Sequence, residues 1–407
     1  MSTIPGTLSY DDLNTFYEEN KAKLYMSEKD GVGQHTLDEQ GFAKWIGHLS
    51  SLHNISEDGS EIPTYLAFAE ALKANIRYVT FPEYLAKIQH IATEIIGLTE
   101  KCDTVFFVAS GKNNKSNMWI MLLYFGELLK MNIAAYKDKI HIVSLKSHDH
   151  GDKASELMCA YAKRNPTKNV YAFHFDDMSY SGQQIEQSIT DIVRFIYNKQ
   201  ITNLHYYITV GYITRQAKRL FSQMPIKMLA NTEQVPDLGQ IMKKHYKDKP
   251  DMLKRIRQMC TSLGNFTIML SRNNPPSFSL KRGLNAFDCR LDKAAIYFDH
   301  KIADDLSVLS TLFSKGSYPK DLSPNVVKAG LKQFTADPPL FSGSLISGCN
   351  GSPTECYTSF YKKFYYTFLA KTLGPDKYLM DEILRIKSAA GGGKRKTLRI
   401  KKYYGMQ

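Results

Sequence analysis

Cysteine is scarce in this chain, and what there is forms no framework. Six residues (Cys102, Cys159, Cys260, Cys289, Cys349 and Cys356) are scattered over 407 positions, with no CxxC pair. No histidine stands at zinc-site spacing beside Cys349 and Cys356, the two nearest each other. The pattern excludes a disulfide scaffold and predicts reduced thiols in an intracellular protein. Long apolar runs are missing too: the richest, Trp119 to Leu129, falls far short of a membrane span, so no membrane partner is expected. The opening residues MSTIPGTLSYDDLNTF have neither a basic n-region nor an apolar h-region, and no signal peptide is predicted. HExxH and GxSxG are both absent, which sets aside the common zinc-peptidase and serine-hydrolase chemistries. There are no internal repeats.

What is present begins with a sizeable apolar fraction. At 43% hydrophobic and 12% aromatic residues, the chain can bury a substantial core, and its length suggests two domains or one elaborated domain. The formal net charge of +13 is unevenly placed, because KRKTLRIKK at 394–402 holds six basic residues and no acid. This tail follows SAAGGG, a flexible linker by composition. Its chemistry suits nucleic-acid binding or nuclear import, and equally a solvated end with no partner.

Periodicity then sorts the chain. Residues 1–62 are polar and mixed, read as a helical extension. From Pro63 the apolar spacing of three and four predicts two amphipathic helices broken near Pro82. Beyond residue 102 the period changes. DTVFFVA (103–109), KIHIVSL (139–145), VYAFHF (170–175), NLHYYITVGYI (203–213) and IKMLA (226–230) read as apolar strands. Helical segments MWIMLLYFGELLKM, KASELMCAYAKR, GQQIEQSITDIVRFIY and RQAKRLFSQM lie between them. Strands that are apolar throughout, alternating with helices, predict an α/β fold whose parallel sheet is covered by helices on both faces, with helical N- and C-terminal elaborations. The expected organisation is an extension at 1–74, an α/β domain at 75–315 with an insertion near 231–290, a helical and loop region at 316–390, and the basic tail at 391–407. Within the insertion, 240–260 is a basic helical stretch; KAAIYFDHKIADDLSVLSTLF (293–313) reads as a strand running into a helix.

One stretch asks for chemistry. VYAFHFDDMSYSG ends an apolar strand in Asp176 and Asp177, then gives Met178, Ser179, Tyr180, Ser181 and Gly182 before a helix. Open parallel sheets bind ligands at the carboxyl ends of their strands. A glycine there lets the backbone come close to a ligand, and free N–H groups, serine hydroxyls and a helix N-terminus favour an anion. Two adjacent carboxylates repel phosphate but accept hydrogen bonds from vicinal sugar hydroxyls. A ribose 5′-phosphate satisfies both halves. The bland alternative is an exposed strand end with an acidic N-cap.

The stretch resembles the signature of the type I phosphoribosyltransferases: apolar strand, two acids, two variable residues, a small residue, Thr or Ser, and Gly. The resemblance implies that Asp176 and Asp177 bind the ribose hydroxyls of phosphoribosyl pyrophosphate (PRPP) as the catalytic pair, with Met178, Ser179, Tyr180, Ser181 and Gly182 around its 5′-phosphate. It implies a pyrophosphate loop at Ser110, Gly111 and Lys112 in VASGKNNKSN, and a mobile loop in KSHDHGDK, where Lys146, His148, His150 and Lys153 are candidates, although a solvated polar loop fits those residues as well. The implied cofactor is Mg²⁺, held mainly by PRPP itself. The implied reaction moves phosphoribose to a nitrogen acceptor and releases pyrophosphate. The similarity in element order spans roughly 75–230 and extends to 290–313 if the strand there joins the sheet. Two features depart from it. Tyr180 stands where the 6-oxopurine branch has an aspartate, and no nucleobase hood is recognisable, so the acceptor is open. The competing class is a protein that keeps the fold and binds without turnover, with nucleic acid on its tail. A homodimer is the assembly considered, in the cytoplasm or nucleus. The tail, YFDHKIADD and SFYKKF are also similar to uncharacterised proteins of large DNA viruses, which implies an infected host cell as the setting.

Other residues invite chemistry less strongly. Asp299 and His300 in YFDHKIADD make an acid–base pair, a site flank or, more simply, a strand end and helix cap. His174 alternates with apolar neighbours and reads as a buried, satisfied histidine. The aromatic run FYKKFYYTF suits base stacking but has the helical spacing of a packed face.

Overall fold

The computed structural model describes residue 4 and residues 7–25, 62–110, 117–145, 153–198, 201–273 and 291–300. Gly111, Lys112, Lys146, His148, His150, the helix read after residue 300, the 316–390 region and the basic tail lie outside them. Ser9 ends β1 (Leu8–Ser9) and starts α1 (Tyr10–Asn20) by a reciprocal cap: its hydroxyl accepts from Asp12 N–H at 3.2 Å, and Asp12 Oδ2 accepts from Ser9 N–H at 3.1 Å. The two helices expected after Pro63 are α2 (Ile62–Asn75) and α3 (Phe81–Glu100), with β2 (Arg77–Val79) between them. Pro82 opens α3, where its missing N–H costs nothing.

Next come β3 (Thr104–Ser110), α4 (Asn117–Lys130), β4 (Ile140–Leu145), α5 (Lys153–Arg164) and β5 (Val170–Phe175), close to their expected bounds. A two-residue strand, β6 (Met178–Ser179), precedes α6 (Gln183–Tyr197). The strand expected at 203–213 is two, β7 (Leu204–Thr209) and β8 (Tyr212–Thr214), interrupted at Val210 and Gly211. Thereafter run α7 (Arg215–Ser222), β9 (Lys227–Met228), β10 (Glu233–Val235), α8 (Leu238–His245), α9 (Pro250–Asn273) and β11 (Ile296–Phe298).

The central sheet has the order β1-β4-β3-β5-β7-β9, parallel except for β1 at its edge. Both faces are covered. Phe173 and Phe175 of β5 point into a core shared with α1, α3 and α4, whereas Val170 and Ala172 meet α5, α6 and α7. That is why the strands read as unbroken apolar runs instead of alternating ones. Beyond β5, β7 and β9 the chain continues as a separate parallel sheet, β10-β8-β6. β2 and β11 form a further parallel pair.

Candidate functional site

The strand order fixes where a ligand would bind. β3 is followed by α4 on one face of the sheet, and β5 by α6 on the other. The connections therefore part between β3 and β5, and a crevice opens at such a switch point outside the carboxyl ends of the strands. Val108 pairs with His174, so continuing the register brings Ser110 to the level of Asp176. The two loops picked out in the sequence thus leave neighbouring strands at the same edge. Of the first loop, Gly111 and Lys112 lie outside the described residues.

Asp176 continues the ladder one step past β5, its N–H donating to Thr209 O at 3.1 Å. The main chain then turns out of the central sheet. Asp176 Oδ1 accepts from Asp177 N–H at 2.9 Å, and Asp177 Oδ1 from Met178 N–H at 2.8 Å, so each carboxylate braces the residue after it through the break. Both acids are buried, at 6% and 1% exposure. Neither caps α6: the cap position is Gly182, and Ser181 Oγ accepts from Gln183 N–H at 3.4 Å. The picture of an exposed strand end with an acidic cap does not hold.

Gly182 has a φ of +79°, which favours glycine, and a Cβ there would meet Leu220 Cδ2 at 2.8 Å and Ala217 Cα at 3.3 Å. Its α-carbon is packed against α7. Met178 and Ser179 are buried in β6, paired with Tyr212 and Ile213 of β8. Tyr180 is half-buried, its ring against the core of the first face and its carbonyl accepting from the Thr214 hydroxyl, which also accepts from Ala217 N–H to start α7.

Sequence reasoning did not single out the aromatic wall beside these acids. Tyr84 of α3 donates its hydroxyl to Asp177 O at 3.0 Å. Burial drives its phenol well above the ordinary range, and Tyr124, Asp177 and Asp176 push it further in the same direction. Around Tyr84 stand Tyr212 at 6.3 Å, Phe298 at 5.6 Å and His300 at 4.6 Å between ring centroids. His300 in turn lies 4.9 Å from Trp119. Arg77 and Lys87 sit over the Tyr212 ring at 5.3 and 5.6 Å while both pair with Glu233. These residues come from separate elements far apart in the chain, so no local pattern announces them. Two buried hydroxyls, Tyr124 Oη and Thr209 Oγ1, have no hydrogen-bond partner among the described residues.

Neither the known protein families, nor the curated proteins, nor the solved structures contain a match to this chain.

The remaining candidates fall into place by geometry. Asp299 follows β11, and its carboxylate accepts from Phe81 N–H at 2.7 Å at the start of α3 and from the Tyr78 hydroxyl; the helix it was expected to cap lies outside the described residues. His174 is buried with Nδ1 3.0 Å from Tyr206 Oη, and burial lowers its imidazole to about 4. Cys102, Cys159 and Cys260 are free and buried. Among the described residues no group of three or more His, Cys, Asp or Glu side chains could hold a metal ion, and no helix is long and apolar enough to cross a membrane. Lys146, His148, His150 and the aromatic run FYKKFYYTF lie outside those residues; Lys153 is the first residue of α5.

Proposed function

We propose that this chain binds Mg-PRPP at the crevice between β3 and β5, as a type I phosphoribosyltransferase-like protein, and transfers phosphoribose to a nitrogen acceptor. The observation that supports this most is positional: strand order brings the Ser110 end of β3 level with Asp176, at the switch point of the central sheet. Asp176 and Asp177 supply carboxylate oxygens for the ribose 2′- and 3′-hydroxyls. α6 starts at Gly182, which offers no capping side chain of its own, and a helix N-terminus at this place favours the 5′-phosphate. Oxygen donors of this kind suit Mg²⁺, which keeps most of its shell from water and ligand diphosphate. In the reaction the bond from ribose C1 to the diphosphate breaks, a nitrogen lone pair forms the new bond, and pyrophosphate leaves. The positive charge that develops on the ribose ring lies near two carboxylates, which favours the transition state over the ground state.

Tyr180 in place of an acid speaks against hypoxanthine or guanine as acceptor, because a phenol with an ordinary pKa near 10 is a poor base at neutral pH.

A second reading, binding without turnover, draws on the near-complete burial of Asp177 and the filling of space at Gly182 by Leu220. Calorimetry of Mg-PRPP with the parent and with Asp176→Asn/Asp177→Asn tests the site: the parent binds and the variant does not. Equal affinity in the two would sink the assignment. Pyrophosphate release from PRPP across a panel of nitrogen bases separates the transferase from the non-catalytic binder, and robust formation of inosine or guanosine monophosphate would refute the role given to Tyr180.

A further inference from the structure

α8, α9 and the turn between them carry an excess of cations. Elsewhere the fold matches many of its cations: Arg194 with Asp191, Arg215 with Asp237, Lys130 with Glu127, and Arg77 and Lys87 with Glu233. Between Lys243 and Arg257 stand five lysines and two arginines against two acids, Asp248 and Asp251. All seven cations are exposed, and none forms an ion pair among the described residues.

The fold also holds these cations in place. Leu238, Ile241 and Met242 of α8 and Ile256, Met259 and Cys260 of α9 are buried, which turns the charged positions outward. Between the helices, Tyr246 is buried and donates its hydroxyl to Ala67 O of α2 at 2.6 Å. These helices and their connection therefore present a mostly positive surface, where like charges repel unless a polyanion neutralises them.

The chemistry of that polyanion follows from what surrounds the charges. A membrane-surface helix needs an exposed apolar face, but the apolar side chains described in α8, and in α9 as far as Cys260, are buried or packed against the core. Leu66 is the one large hydrophobic residue exposed among the described residues. Seven exposed cations spread along two helices and their connection exceed what one small anion can neutralise. A regular line of phosphates matches them, since each lysine or arginine that meets one releases a condensed counterion.

We infer that the α8–α9 hairpin is a nucleic-acid-binding surface that grips the phosphate backbone without reading bases. It acts independently of the ribose crevice and adds to whatever the basic tail at 394–402 contributes.

Fluorescence anisotropy with a labelled duplex and a labelled single strand, titrated over a range of salt, tests this on the full chain. Lys254→Gln/Arg255→Gln/Arg257→Gln should weaken binding at least tenfold at about 50 mM salt. The same variant should make the slope of log affinity against log salt shallower by about 2 to 3, at about 0.9 for each phosphate no longer neutralised. Neutralising the tail by Lys394→Gln/Arg395→Gln/Lys396→Gln in the full chain should leave that hairpin-dependent difference in place. Lys243→Arg/Lys244→Arg/Lys254→Arg should bind like the parent, and unchanged circular-dichroism melting of each variant shows that the helices persist. The inference is overturned if the glutamine variant keeps the parent slope and affinity. It is equally overturned if phosphatidylserine vesicles bind the hairpin and neither oligonucleotide does.

Discussion

The helices α4 and α6 each follow a strand that borders the crevice, yet they are buried in opposite ways. In α4 the residues from Trp119 to Phe125 and Leu128 are buried, because the sheet covers one side and α1, α3 and the chain after α1 cover the other. Phe125 packs on Tyr10 and Tyr17, Tyr124 on Phe175, and Trp119 donates its indole N–H to Leu24 O at 2.8 Å. α6 has a single buried stripe, Ile185, Ile189 and Ile192, with Gln187 and Thr190 in water. A helix apolar all round is sandwiched, and one with a stripe lies on a surface. The first face of the sheet is thus two layers deep, and it is the deeper face that carries the aromatic wall beside Asp177.

The sharpest way to break that comparison is a matched pair of core deletions. Ile120→Ala in α4 and Ile189→Ala in α6 remove the same atoms from fully buried sites. The cost of a cavity depends on how far its walls can relax, so Ile120→Ala should lose about 4 kcal/mol and Ile189→Ala about 2 to 3 kcal/mol in urea unfolding. Equal losses would show that the outer layer adds no rigidity.

The thinner face holds its own liability in His174. Burial lowers the imidazole to about 4 from 6.5, so between those values the unfolded chain binds a proton that the folded chain refuses. Stability is full above pH 6.5, falls as the pH drops towards 4, and is flat below. The loss amounts to about 3 kcal/mol from this group at about 1.4 kcal/mol per unit. His141, also lowered to about 4 by burial and by Lys168, adds to the same window. His174→Leu/Tyr206→Phe should flatten the slope measured from pH 7 to pH 4.5, leaving the part due to His141. A slope as steep as the parent's would mean His174 is not the group responsible.

The smallest effect is expected at the crevice end of the deeper face. Tyr124 is fully buried with a hydroxyl that has no hydrogen-bond partner among the described residues. Tyr124→Phe removes a polar group that folding strips of water without replacement, so stability should stay level or rise by up to about 1 kcal/mol. A loss larger than that would reveal a bound water or ligand group on this oxygen.

Much of the frame was legible in order. Runs such as VFFVA and VYAFHF are apolar at nearly every position, as strands buried on both faces must be. The acid pair was visible at the end of β5 because its place after an apolar strand is a local fact. The roles within the motif were not. The residues that crowd the α-carbon of Gly182, Ala217 and Leu220, are more than thirty positions away. Tyr84 and Tyr212 escaped a local reading for the same reason.

The sequence by itself determined which segments become strands and helices, since period, caps and apolar content act within a few residues. It determined the sign and position of the exposed charge on 243–257 as well. Only the tertiary structure decided the order β1-β4-β3-β5-β7-β9, and with it which strand ends share a crevice. It alone formed β1, β2, β6 and β10, each two or three residues long. Strands that short contain no period to read and exist because a partner far along the chain supplies the other half of every hydrogen bond.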